Sequence, residues 1–238
     1  MSTRETVILV PGLLCDAVVW EHQTAALSEH CDVIIPELTQ QDSMAAMAEH
    51  VLSIAPERFA IAGHSMGARV ALEVWRQAPE RVTRLALLDT GVHPASAEEL
   101  PKRQAMLDIS AEQGMTALAN VWLPPMVKPG LLESDTALRA RLYAMVERMT
   151  SAIHRQQITA LVNRSNAAPL LPQIACPVLV GVGELDRWSP PEQHEPMAAA
   201  IPNARMVVFA GAGHMAPMET PEAVSAALVE WMGIAVAG

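Results

Sequence analysis

Aromatic residues are scarce in this chain. Two Phe, 1 Tyr and 5 Trp make up 3% of its 238 residues, so rings cannot fill the interior. Aliphatic side chains, Ala and 14 Met must do so, and an apolar share of 51% suffices for a sizeable core. Cysteine is scarcer still. Cys15, Cys31 and Cys176 are odd in number and irregularly spaced, which excludes a disulfide framework and leads us to expect reduced thiols in a cytoplasmic protein. Positive charge is also short: 16 Lys and Arg face 26 Asp and Glu, a formal −10 with no basic cluster along the chain. That argues against nucleic acid or an anionic membrane as partner. No apolar run approaches the ~18 residues of a membrane-crossing helix. Val7–Leu14 carries Pro11-Gly12 and follows Glu5, a poor signal peptide and a good first strand with its turn. His or Cys pairs at metal-ligand spacing and a phosphate-cradling Gly loop are missing too, so neither metal nor cofactor is expected.

What is present is organised around Gly63-His64-Ser65-Met66-Gly67. Before it, Arg58–Ala62 is a short apolar run that reads as a buried strand. After it, Ala68–Trp75 reads as a helix. A sharp strand-to-helix turn forces Ser65 into a strained conformation that lifts its hydroxyl clear of the backbone. The positions two before and two after must be small, and both are Gly.

The rest of the chain alternates in the same way. Thr6–Val10 and Arg84–Leu88 are apolar runs of the kind buried on both faces of a parallel sheet, and Cys31–Ile35 supplies another strand. Asp16 caps one helix. Asp42-Ser43 caps a second, whose apolar positions Met44, Met47, Ala48, Val51 and Leu52 share a face. The alternation stops after Asp89. Residues 92–168 contain no convincing strand and read as helices broken at Pro94, Pro101, Gly114, Pro124-Pro125 and Pro129-Gly130. Most apolar stripes there should pack on one another, with a minority among Met106, Met115, Trp122, Met126 and Met145 facing a substrate pocket. Strands resume at Val178–Val182 and Arg205–Phe209. Ser189-Pro190-Pro191-Glu192 reads as a capping box opening one helix, and Thr220-Pro221-Glu222 opens the last.

A neutral serine needs a base, and the base needs a carboxylate behind it. His214, in the loop after the last strand and preceded by Gly211-Ala212-Gly213, is the candidate base. Asp186, after Val178–Val182 and before the helix at Ser189, is the candidate carboxylate. Asp89 and Glu184 are its rivals. Of the other histidines, His64 should point away from the attack site. His93 and His154 belong to the helical stretch and could touch substrate. His22, His30, His50 and His194 fall in helical or exposed contexts. The developing oxyanion needs two preorganised N–H donors. Met66 is one. Leu13 is the other, with Leu14 as the alternative.

Val10-Pro11-Gly12-Leu13, the Gly63–Gly67 turn, Ala78–Val82, Gly183–Asp186 and Gly213-His214 with Glu219-Thr220-Pro221 together resemble the α/β-hydrolase fold enzymes. The resemblance implies a hydrolase core over 1–91 and 169–238 with a helical cap over 92–168, and a triad Ser65–Asp186–His214. Within that family the chain looks similar to small bacterial carboxylesterases, including those that cleave the methyl ester of a carrier-bound dicarboxylate, and to hydrolases that break C–C bonds in ring-fission products. Pro11 stands where many members have His, and Ala68 where many have a second Gly. The family's two leading antiparallel strands have no counterpart before Thr6, so the expected fold is α/β with a six-stranded, all-parallel sheet flanked by helices. The expected activity is hydrolysis of a small or medium ester through an acyl-Ser65 intermediate, with a small-molecule ester as partner. C–C bond or thioester cleavage on the same residues is the alternative, and a non-catalytic ligand-binding protein is the reading from another class.

Overall fold

The computed structural model describes residues 4–234. The ends of the expected core, 1–3 and 235–238, lie outside the described residues. β1 (Thr6–Val10) leads through a single 3₁₀ turn, capped by Asp16, into α1 (Glu21–Ser28). β2 (Asp32–Ile34) and α2 (Met44–Ile54) follow, with the Ser43 hydroxyl accepting from the Ala46 N–H at 3.2 Å. Next come β3 (Phe59–His64), α3 (Met66–Gln77) and β4 (Val82–Leu88). Five helices then run in succession: α4 (Glu99–Glu112), α5 (Met115–Trp122), α6 (Leu131–Ser134), α7 (Thr136–Glu147) and α8 (Ser151–Val162). The chain closes with β5 (Val178–Gly183), α9 (Pro191–Ala199), β6 (Ala204–Phe209), α10 (Ala216–Glu219) and α11 (Pro221–Trp231).

The six strands form one parallel sheet in the order β2-β1-β3-β4-β5-β6. β1, β3 and β5 are almost wholly buried, as their unbroken apolar runs require. The order reverses between β1 and β3. Loops leaving their carboxyl ends diverge there and open the crevice in which α/β sheets hold ligands.

Two elements differ from the sequence-based expectation. β2 keeps three residues of the five, because only Asp32–Ile34 align beside β1 at the sheet edge. The capping box at Ser189 does not form. Pro190 is the cap residue, α9 starts at Pro191, and the Ser189 N–H is spent on the Asp186 carboxylate at 2.9 Å. The helical stretch behaves as expected in one respect: α4 packs on α5 and α8, and α5 on α7. No described helix is long and apolar enough to cross a membrane.

Candidate active site

The β3–α3 turn is held by contacts that only glycine permits. A Cβ on Gly67 would lie 2.1 Å from the Val10 carbonyl oxygen, and one on Gly63 would lie 2.3 Å from Gly67. Helix and strand therefore meet backbone to backbone, and Ser65 between them takes φ +55°. Leu14 and Asp89 share this left-handed region, at +57° and +51°. All three follow the carboxyl ends of neighbouring strands, where the fold stores strain at the crevice. The Ser65 N–H is tied to the Leu88 carbonyl at 2.8 Å, and its carbonyl accepts the Thr90 hydroxyl at 3.0 Å. The side chain is left free to face outward.

His214 arrives from the loop after β6. Its Nε2 lies 2.8 Å from Ser65 Oγ and its Nδ1 lies 2.8 Å from Asp186 Oδ2. Asp186 Oδ1 accepts the N–H groups of Trp188 and Ser189 at 2.7 and 2.9 Å. Serine, imidazole and carboxylate thus form one hydrogen-bonded chain across 149 positions of sequence. Burial opposes the Asp186 charge, but His214 and the two N–H donors outweigh it and hold the carboxyl below its usual range. The carboxylate oxygen on Nδ1 fixes the proton there, which leaves Nε2 to accept from the serine.

The rival acids take other positions. Asp89 is fully buried but joins none of these hydrogen bonds: Oδ1 accepts the Gly183 N–H at 2.8 Å and Oδ2 has no partner among the described residues. Burial and the nearby Asp186 push its pKa well up. Glu184 is exposed and accepts the Gly211 N–H. His64 lies beneath His214, its Nε2 2.7 Å from the His214 carbonyl; burial, with His214 beside it, pulls its pKa down to about 3, so it is a neutral support. His194 sits on α9 and is buried, accepting the Thr90 N–H at 2.9 Å.

Of the oxyanion candidates, Met66 is the first residue of α3, where a backbone N–H has no partner inside the helix. Leu14 is taken: its N–H donates to Gln157 Oε1 at 2.9 Å. Leu13 has no acceptor among the described residues and lines the same cavity of about 360 Å³ as Ser65, Met66 and His214. From the helical stretch, Trp122, Met126 and His93 reach that cavity, and Met106 and His154 line an adjoining one. Met115 and Met145 line neither.

Two positioning residues were given no role by the sequence. Gln157 on α8 is buried; besides holding Leu14 it donates to the Leu38 carbonyl at 2.9 Å. Glu219 on α10 accepts the Met215 N–H at 3.0 Å and the Lys128 N–H at 2.8 Å, which ties the His214 loop to the helical stretch. These pairings span 143 and 91 positions for Leu14–Gln157 and Lys128–Glu219, beyond any spacing rule.

Known proteins are similar to this chain in sequence and fold. A thermophilic esterase from Thermogutta terrifontis, solved with malate bound, superposes with a TM-score of 0.90 at 29% identity, covering 97% of this chain and 90% of that one. A pimeloyl-[acyl-carrier protein] methyl ester esterase from Nitrosomonas europaea is 27% identical over 190 residues, 76% of this chain and 74% of that protein. A 2-hydroxy-6-oxononadienedioate/2-hydroxy-6-oxononatrienedioate hydrolase from Cupriavidus pinatubonensis is 27% identical over 191 residues, 74% of this chain and 63% of that protein. The profile of the alpha/beta hydrolase family matches residues 7–227, so the chain belongs to the α/β-hydrolase family and is a hydrolase of that fold.

Proposed function

We propose that the protein hydrolyses a small or medium carboxylic ester through an acyl-Ser65 intermediate. The 2.8 Å contact between Ser65 Oγ and His214 Nε2, with Asp186 behind the imidazole, carries this reading. His214 takes the hydroxyl proton as Oγ attacks the ester carbonyl, and Asp186 balances the imidazolium that forms. The carbonyl oxygen, now an oxyanion, is received by the N–H groups of Met66 and Leu13. Each such donor is worth about 10²–10³ in rate, roughly 2.7–4 kcal/mol. Collapse breaks the bond to the alcohol oxygen, which leaves with the proton from His214. Water then gives a proton to His214, attacks the acyl carbon and releases the acid, and the proton returns to Ser65. Residues 92–168 act as the cap over this site, and a cytoplasmic setting with Cys15, Cys31 and Cys176 as free thiols belongs to the same reading.

Replacement Ser65→Ala should lower hydrolysis of an activated p-nitrophenyl ester by about 10⁴–10⁶, and a fluorophosphonate should label Ser65 in the wild type. Turnover of the variant at the wild-type rate ends the proposal. The likeness to the C. pinatubonensis hydrolase favours a second reading, C–C bond cleavage of a ring-fission product on the same residues. A panel of esters, thioesters and vinylogous diketo acids separates the two.

A further inference from the structure

The chain has a formal charge of −10, yet the cavity around Ser65 is lined by Arg69, Lys102, Arg103, Arg164 and Arg187 against Glu98 and Glu99. Asp89 also borders it, and burial, then the nearby Asp186, push its pKa well up. Glu99 is fully committed. Its Oε1 accepts from Arg103 Nε at 2.6 Å and Arg164 Nη1 at 3.0 Å, and its Oε2 from Arg164 Nη2 at 2.8 Å. One carboxylate therefore serves two guanidinium groups.

Arg69 has no carboxylate within salt-bridge distance among the described residues. Its one described hydrogen bond is from Nη1 to the His93 carbonyl at 3.0 Å. Arg164 holds the same loop, donating to the carbonyls of His93 and Pro94 at 3.1 and 3.2 Å. Arg69 lies on α3 four residues after Ser65, one turn along the same helix face. Burial, then the neighbouring Arg164, pulls its pKa down to about 9. A half-buried cation short of a counter-ion costs free energy that an arriving anion returns. A mostly apolar cavity of about 270 Å³, lined by Met106, Val121, Pro125 and Ile158, adjoins the first and shares with it Leu13, Trp122, Met126 and Trp188 as well as Glu99, Lys102 and Arg103.

We propose that the substrate is an ester bearing a free carboxylate, a hemiester of a dicarboxylic acid, whose carboxylate pairs with Arg69 while its aliphatic part lies against Trp122 and Met126. The identity of the scissile bond rests on the ester-hydrolase reading; the anion site itself does not. The planar fork of Arg69 suits a carboxylate held bidentately.

The test pairs two five-carbon acyl esters, monomethyl glutarate and methyl pentanoate, followed by proton release. The charged ester should have at least tenfold the kcat/KM of the neutral one at low salt, and the ratio should shrink toward one in 1 M NaCl. Arg69→Gln should lower the ratio at least tenfold, and Arg69→Lys should restore part of it. Calorimetry with glutarate gives a readout that needs no turnover: Kd should rise at least tenfold in Arg69→Gln. Equal or reversed preference in the wild type overturns the proposal, as does glutarate binding unaltered in a folded Arg69→Gln, or inorganic phosphate binding in preference to glutarate. Should Arg69→Gln fail to fold, Arg69→Lys and the salt dependence of the wild type decide. Glutarate binding without hydrolysis of either ester would sustain the anion site and sink the ester reading; fluorophosphonate labelling of Ser65 with no charge preference would do the reverse.

Discussion

β4 and β5 lie side by side in the sheet, and each delivers a buried aspartate just past its carboxyl end: Asp89 from β4, Asp186 from β5. Asp186 has both oxygens occupied, one by His214 and the other by two backbone N–H groups. Asp89 receives one N–H, from Gly183, and its second oxygen has no partner among the described residues. His64 Nε2 comes within 3.8 Å of that oxygen, but the imidazole is neutral and its Nε2 is committed to the His214 carbonyl. Two carboxyls with similar burial thus end with opposite shifts, one down and one up. Burial raises both; His214 and then the N–H donors outweigh it at Asp186, whereas at Asp89 the neighbouring Asp186 adds to it and one N–H does not offset the two.

The largest expected effect separates the two directly. Asp186→Asn should cost about 10³–10⁴ in kcat, since the amide no longer fixes the imidazole tautomer, whereas Asp89→Asn should stay within about tenfold of wild type. Equal losses from both would erase the contrast.

A smaller effect is expected at a third carboxylate. Glu219→Gln keeps one acceptor oxygen for two N–H groups and turns an amide donor toward the other, at a cost of about 1–3 kcal/mol. Its Tm should fall by several degrees and kcat by about tenfold as the His214 loop loosens. Unchanged values would mean that the loop is held by its glycine packing instead. A Cβ on Gly213 would come 2.6 Å from Lys128 N and Val127 C, and one on Gly183 would come 2.0 Å from the Gly213 carbonyl oxygen.

The smallest effect is on stability. Asp89 has a folded pKa above its unfolded one, so above about pH 4 the native state binds more protons than the unfolded chain, and stability falls as pH rises toward the folded value. Asp89→Asn removes that slope. Its Tm should exceed that of wild type by a margin that widens as pH rises above about 4 and levels off past the folded pKa. Asp186 has the reverse sign: its lowered pKa gives stability that is present at neutral pH and lost as pH falls through the folded value, so the deficit of Asp186→Asn should narrow in acid. A pH-independent gap for either variant would contradict its assigned shift.

Much of the core was legible because its signals are local. Apolar runs such as Thr6–Val10 and Val178–Val182 must be buried on both faces, and Gly63 and Gly67 mark a turn that no larger residue tolerates. The Ser189 capping box misled for a local reason as well: the pattern is sound, but Asp186 competes for the same N–H and wins because it is buried and needs the donor. Along the helical stretch the pattern gives helices but not their facing. Of the five pocket candidates there, Trp122 and Met126 line the cavity around Ser65 and Met106 its neighbour, while Met145 is wholly buried in the packing of α7.

By itself the sequence determined the strand–helix alternation, the strained serine turn and the small residues that let Ser65 and His214 approach, since each follows from sterics and hydrophobic periodicity within a few residues. Only the tertiary structure decided which aspartate faces the imidazole, that Gln157 and Glu219 clamp the loops beside it, and that an acidic chain with no run of basic residues gathers cations at positions 69, 102, 103, 164 and 187 around one cavity. Those outcomes depend on charges and hydrogen-bond partners brought together from distant segments, and their energies exist only once the folded chain has placed them side by side.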